Sequence, residues 1–268
     1  MARVKQFDVI TGSIANLSFY TRKGSDKVFV RTKGGPSKNK IKRNPEFANV
    51  RRNNREFGGC STMSHNIRYS FYGLHHVADY NLSSTLCSLC KTIQKLDTDG
   101  VWGERSIRLS KYRSLLSGFE FNRINRFSSI FRIMPVWNID RYTQQCIMNI
   151  PAFDCSYGLQ LPGQYSSFRL VVVLGVVSDL QINASKSRYE PTHGDKIRNF
   201  SRAETPWFST KASIQEQQLI VKIKDLPELF KDDDTLVLSI AIEFGTLDAL
   251  GNQIPLKNAG AGMILETK

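Results

Sequence analysis

Cys87-Ser-Leu-Cys90, with His75 and His76 upstream, is the pair of thiols whose spacing suits a metal or a redox couple. Structural zinc takes four ligands, commonly two such pairs, and here one pair falls on an expected helix. Position 90 lies between Leu86 and Ile93 on the apolar stripe of that helix, so a buried cysteine acting as a small hydrophobe is the plain expectation. Asp97-Thr-Asp-Gly100 has the oxygen density of a calcium loop without its spacing, because neither the glycine nor the distal glutamate is in place; it reads as a helix stop. Glu190, His193 and Asp195 gather in a polar segment and would suit acid-base or metal chemistry if folding brought them together. Asp232-Asp233-Asp234 precedes a strand, where a solvated turn is the ordinary account, and Gly260-Ala-Gly262 lacks the following helix that makes a phosphate cradle. There is no nucleophile elbow, His-Glu-x-x-His or Walker-type loop in the sequence. The expectation is a non-enzymatic protein with no catalytic residues, cofactor, resident metal or small-molecule substrate.

Chemistry of another kind stands at the N-terminus. The first seventy residues carry fifteen Lys and Arg against the acids Asp8, Asp26, Glu46 and Glu56, and so hold +11 of the net +13. The remaining 198 residues are close to neutral. Such asymmetry marks an arm that meets an anion or an oppositely charged neighbour. Candidate contacts to phosphate or an acidic surface are Arg22, Lys23, Lys27, Arg31, Lys33, Lys38, Lys40, Lys42, Arg43, Arg51, Arg52 and Arg55. Interleaved with them, Phe19, Tyr20 and Phe29 are placed to stack on bases, or else to form the apolar side of a hairpin.

The elements that must position these residues fall into three sections. Residues 17–23 and 27–32 alternate around the loop Gly24-Ser25-Asp26 and make a hairpin, with Ile14, Leu17, Phe19, Tyr20, Val28, Phe29 and Val30 as its assembling residues. Two strands alone are marginal in water, so this hairpin docks on its own body or joins a neighbour's sheet. Residues 34–43, rich in Gly, Pro, Ser and Lys, read as an extended linker, which ends an arm of residues 1–43. Section two, 44–118, is helical: a helix capped by Asn44 and Pro45 and stopped at Gly58-Gly59, with Phe47, Val50 and Phe57 on one face; a second over 63–80; a third after the cap Asn81 with Leu82, Leu86, Leu89, Ile93 and Leu96 in period; a short fourth over 106–117. Section three, 119–268, is β-rich, with strands expected at 130–138, 144–150, 168–177, 217–224, 235–244 and 262–266. Polar loops between them predict an antiparallel sandwich, so the class is α+β; residues 185–208 read as one long polar loop.

A 268-residue chain with 41% hydrophobic content buries a core without staples, and five cysteines suit reduced thiols. The longest apolar stretch, 170–177, is too short to span a bilayer, and the start lacks the apolar centre of a signal peptide, so cytoplasmic synthesis is expected.

Gly12, Ile14, Asn16, Phe19 and Tyr20, then Val30-Arg31 with Lys33-Gly34-Gly35, Lys38, Ile41 and Lys42, then Asn44-Pro45 with Phe47, and finally Arg52, Asn54 and Glu56-Phe57-Gly58 form a dense block. It resembles an uncharacterised family of Bacteroidetes proteins. The likeness continues through Gly118–Asn122, Asn149–Phe153, Ile242-Glu-Phe244 and Pro255–Asn258, with this chain carrying more Cys and His between Cys60 and Cys90. The resemblance implies a bacterial building block and brings no catalytic residues. Together these features predict a structural subunit that self-assembles into an oligomer or filament by strand addition from its arm, its partners being other copies of itself. The alternative is a sequence-tolerant nucleic-acid binder using the same arm.

Overall fold

The computed structural model describes residues 3–5, 9–22, 27–183, 185–192, 199–224 and 230–268. Lys23, the loop residues Gly24, Ser25 and Asp26, and the candidates His193 and Asp195 lie outside the described residues. The chain forms two compact units, Met1–Arg51 and Arg52–Lys268, and the α+β class expected from the sequence holds.

In the first unit the expected hairpin is the outer half of a four-stranded antiparallel sheet in the order β1 (Arg3–Lys5), β2 (Val9–Ile14), β3 (Leu17–Thr21), β4 (Val28–Thr32). The segment expected as an extended linker contains instead a short helix, α1 (Lys38–Arg43). Ser37 caps it by accepting the Lys40 N–H at 3.2 Å, and its last turn is basic, as the negative end of a helix favours. Arg51 then donates to the Ile41 and Asn44 carbonyls at 2.7 and 2.8 Å, holding groups that the helix end leaves unpaired.

The second unit is built on β8 (Ser167–Ser178) and β15 (Asp234–Leu247), the central strands of a sheet ordered β11 (Phe200–Glu204), β8, β15, β16 (Gln253–Thr267). Residues in β8 and β15 alternate between two cores. Leu170, Val172, Leu174 and Val176 with Leu236, Leu238, Ile240 and Ile242 face a smaller sheet, whose order is β14 (Gln217–Lys222), β6 (Gln145–Ile150), β5 (Val136–Asp140). That smaller sheet supplies Ile139, Cys146, Met148, Leu219 and Val221, and completes a sandwich. On the reverse face Val171, Val173, Val177, Val237 and Ala241 pack with residues of two helices, α2 (Ala48–Ser70) and α3 (Leu82–Lys95). Burial on both faces explains why the run Leu-Val-Val-Val-Leu shows no alternation of polarity.

Several boundaries differ from the sequence expectation. Helix α2 runs through Gly58-Gly59, burying Gly59, Cys60, Met63 and Ile67 while Phe57 stays 64% exposed. Gly59 is retained inside it because a Cβ there would lie 2.7 Å from the Tyr189 ring. The expected second helix is the end of α2, which stops at Ser70; Phe71 and Leu74 stay buried in the turn that follows. The expected fourth helix is two single 3-10 turns, Leu109–Lys111 and Arg113–Leu115. Where a strand was expected at 130–138, Phe127–Ile130 is one helical turn that buries Phe127 and Ile130 together, and β5 begins only after Pro135. The segment 185–208 holds strand β10 (Arg188–Pro191), which pairs with β9 (Leu180–Asn183), then β11 and β12 (Phe208–Ser209).

Gly175, midway along β8, lets α2 end directly on the sheet: a Cβ there would stand 2.1 Å from the Ser70 carbonyl oxygen. Gly175→Ala is therefore expected to cost about 1–3 kcal/mol in thermal or denaturant unfolding, because backbone must move. Exposed Gly58, with nothing near its added Cβ, should respond oppositely, Gly58→Ala gaining roughly 0.5–1 kcal/mol of helix propensity.

Candidate functional site

Facing pairs of an antiparallel ladder project from the same side of a sheet, so the register of the first unit sorts its side chains. Ile14 opposes Leu17, Phe19 opposes Val30, and Thr21 opposes Val28. One face is therefore apolar: Ile14, Leu17, Phe19, Val28 and Val30 share it. Tyr20 opposes Phe29 and Ser18 opposes Arg31 on the other face. The seven residues expected to act together as an assembly surface are thus divided between two faces, five against two. A one-residue step in a strand reverses the side, which is why Phe19 and Tyr20 part company.

Of residues 10–22 and 27–51 none is buried, and Ile14 and Val30 are each 52% exposed. On the opposite face four side chains form a continuous stack. The Arg22 guanidinium lies 4.6 Å from the Phe29 ring centroid, Phe29 stacks on Tyr20 at 5.7 Å, and Arg31 lies 5.6 Å from the Tyr20 centroid. Each contact is a cation–π or offset π arrangement, and the planar guanidinium groups continue the aromatic column at both ends. Lys33 closes the β2–β3 turn by donating Nζ to the Ala15 carbonyl at 2.9 Å. Lys38, Lys40, Lys42 and Arg43 stand on α1, and Lys27 is exposed before β4.

The last three expected anion contacts have partners within their own units. Arg51 holds the end of α1, as described above. Arg52 lies over the Trp102 ring at 5.5 Å, and Arg55 pairs with Glu104 at 2.7 Å.

Among the described residues, the types that suggested catalysis or metal binding are not gathered into one place. Cys90 is buried and Cys87 half-buried on α3, and burial pushes both thiols above their ordinary range. Cys60 joins them from α2, pushed up to about 12 by burial, so none offers a ready thiolate. Asp97 accepts the Asp99 and Ser106 N–H groups and stops α3. Glu190 is held at about 2 by Asn183, Arg188 and Lys186, an arrangement that braces the β9–β10 hairpin. Gly260 and Gly262 sit in β16 pressed against the Ile242 carbonyl and the Phe121 ring, so their role is close packing. Among the described residues, no group of three or more His, Cys, Asp or Glu is placed to hold a metal ion.

Sequence reasoning treated Asp232-Asp233-Asp234 as a solvated turn and passed over Asp179. Asp234 is fully buried, accepting from Ser178 Oγ at 2.5 Å and the Lys231 N–H at 3.0 Å. Beside it Asp179 is also buried and receives the Ser110 N–H at 2.9 Å and Ser110 Oγ at 2.5 Å. Ser110 and Asp179, with Asp232, Asp233, Arg108 and Lys111, line an open cleft of about 490 Å³. Ser110 and Asp179 lie 69 residues apart, and no local pattern announces their meeting.

Burial pushes the Asp179 carboxyl up to about 6, against the pull of its hydrogen bonds from Ser110. Between the ordinary carboxylate value and 6, the folded chain holds a proton at Asp179 that the unfolded chain has released. Stability from this group therefore falls as pH rises across that window. In Asp179→Asn, the change in unfolding free energy between pH 4 and pH 7 should lose this component, on the order of 1–3 kcal/mol. Denaturant titrations of both proteins at the two pH values measure it; parallel pH profiles would exclude the shift. Protein-family models, curated proteins and solved structures offer no match to this chain.

Proposed function

We propose that the chain is a non-enzymatic structural subunit, whose N-terminal sheet docks on a neighbouring copy and joins the copies into an oligomer or filament. One observation carries this reading: the N-terminal sheet presents five apolar side chains on one face, yet none of the five is buried. A sheet of this size is stable in water when its apolar face is covered. Main-chain edges support the same conclusion. Strand β4 ends its sheet and pairs on one side only, as β5 does in the smaller sheet of the second unit. Both strands are five residues long, and β5 begins with exposed Val136, at 65%, two residues after exposed Met134, at 74%. Addition of β4 from one copy to β5 of the next would extend the sheet across the junction and bring the apolar side chains of β4 beside Met134 and Val136. Such a contact is heterologous, so it closes into a ring or runs on as a filament.

The test is the solution mass of the full chain by light scattering after gel filtration with nuclease present. The unmodified chain should run as a multiple of 30.4 kDa. Phe19→Glu combined with Val30→Glu, and separately Val136→Glu, should each lower the mass to that of a single chain while leaving the far-ultraviolet circular dichroism of the second unit in place. A monomeric parent at tens of micromolar, or an assembly indifferent to both sets of substitutions, would overturn the proposal.

A further inference from the structure

We infer that the other face of the N-terminal sheet binds single-stranded nucleic acid, with the stack Arg22, Phe29, Tyr20, Arg31 as its contact surface. This goes beyond assembly and uses the side of the sheet that assembly leaves open. The aromatic pair is half-buried and the two arginines exposed, so ring edges and guanidinium groups are presented together. Ser18, opposite Arg31 on this face, is a small side chain beside one end of the stack.

Charge selects the occupant. The sequence of this unit holds three acids, Asp8, Asp26 and Glu46, against twelve Lys and Arg, among them Arg22, Arg31 and the four cations of α1. A polyanion is the complementary partner. The stack distinguishes a nucleic acid from other polyanions, because every base has a π face that can continue the column on an outer guanidinium plane, which the rings hold in place. Single strands suit it better than a duplex, whose bases are already stacked on one another. Nothing in the arrangement reads base edges: the column offers planes and charges, so binding is tolerant of sequence.

The experiment is fluorescence anisotropy of a labelled fifteen-nucleotide oligothymidine with the full chain from 50 to 300 mM salt. Affinity should fall steeply with salt. Arg22→Ala with Arg31→Ala should reduce the log–log slope by about 1.4, since each phosphate contact to a single strand contributes about 0.7. Tyr20→Ser with Phe29→Ser should weaken binding at least tenfold while leaving that slope in place, because stacking releases no counterions. Tyr20→Phe, which keeps the ring and cannot disturb the sheet, should bind as the parent does. The assembly variant Phe19→Glu with Val30→Glu alters the opposite face; its retained binding as a single chain would separate this inference from the assembly proposal. No binding at 50 mM salt overturns the inference, as does equal binding by the Tyr20/Phe29 variant. Vesicles containing a third phosphatidylglycerol are the remaining arm: tighter binding to them than to the oligonucleotide, unaffected by loss of the rings, would assign the face to a membrane surface instead.

Discussion

Strands β8 and β15 are covered on both faces, and the rest of the larger unit answers to that constraint. Twelve ladder pairs join them, from Asp234 opposite Ser178 to Gly245 opposite Ser167, so neither strand has a wet side on which to keep polar groups. Apolar side chains fill both faces, and the charges that remain must be paired in place. Glu243 shows how. It is 1% exposed on β15, and burial alone would raise its pKa, yet His76, Arg169 and Arg202 hold the carboxyl below its ordinary value. Removing one partner of such a group would leave charge without compensation, so the cluster locks together elements that are far apart in sequence.

Helix α2 meets the same constraint from outside the sheet. Its buried stripe includes Glu56, which accepts from Arg105 twice at 2.7 Å, from the Gly103 N–H at 2.9 Å, and from Lys91. Burial opposes ionisation there, but these donors prevail and the carboxyl lies at about 2. Gln94 adds bonds to the Glu56 carbonyl and to the Tyr189 hydroxyl, tying α2, α3 and β10 into one polar joint within an apolar core. That joint fixes where α2 lies on the sheet, and Gly59 and Gly175 set how near its neighbours come.

Much of this architecture was legible because long apolar periods are local signals. Leu82, Leu86, Leu89 and Ile93 announced α3 and its inward side, although Leu96, expected on the same stripe, is 44% exposed, and the unbroken run around Val172 announced a central strand. Other features failed to show for definable reasons. Gly58-Gly59 resembles a helix stop, but contact with Tyr189, 130 residues on, makes Gly59 a packing residue within the helix. Phe127 and Ile130 have β-forming character, yet the Glu120 carboxylate accepts the Phe127 N–H and favours a helical turn. The arm's two alternating strands were legible, whereas assigning Tyr20 and Phe29 to the face opposite Phe19 required the register. The meeting of Ser110 with Asp179 is a product of tertiary folding alone.

The two units thus differ in how completely each satisfies its own side chains. In the second, apolar residues find cover on both sides of the sheet and buried charges find partners. In the first, alternation produces an apolar face and a cationic, aromatic one, and three- to six-residue strands supply too little area to enclose either. On the proposed assembly these faces are thermodynamically coupled. Copies joined through the apolar face bring like-charged faces closer together, and their repulsion opposes association. A polyanion lying along those faces removes that repulsion and bridges several of them at once, so each copy added raises the effective concentration of the next contact. Linkage makes the effect reciprocal: whatever factor the strand contributes to assembly, assembly returns to affinity for the strand. On these two proposals, the open apolar face of the N-terminal unit and its excess of positive charge would each be met by what it binds.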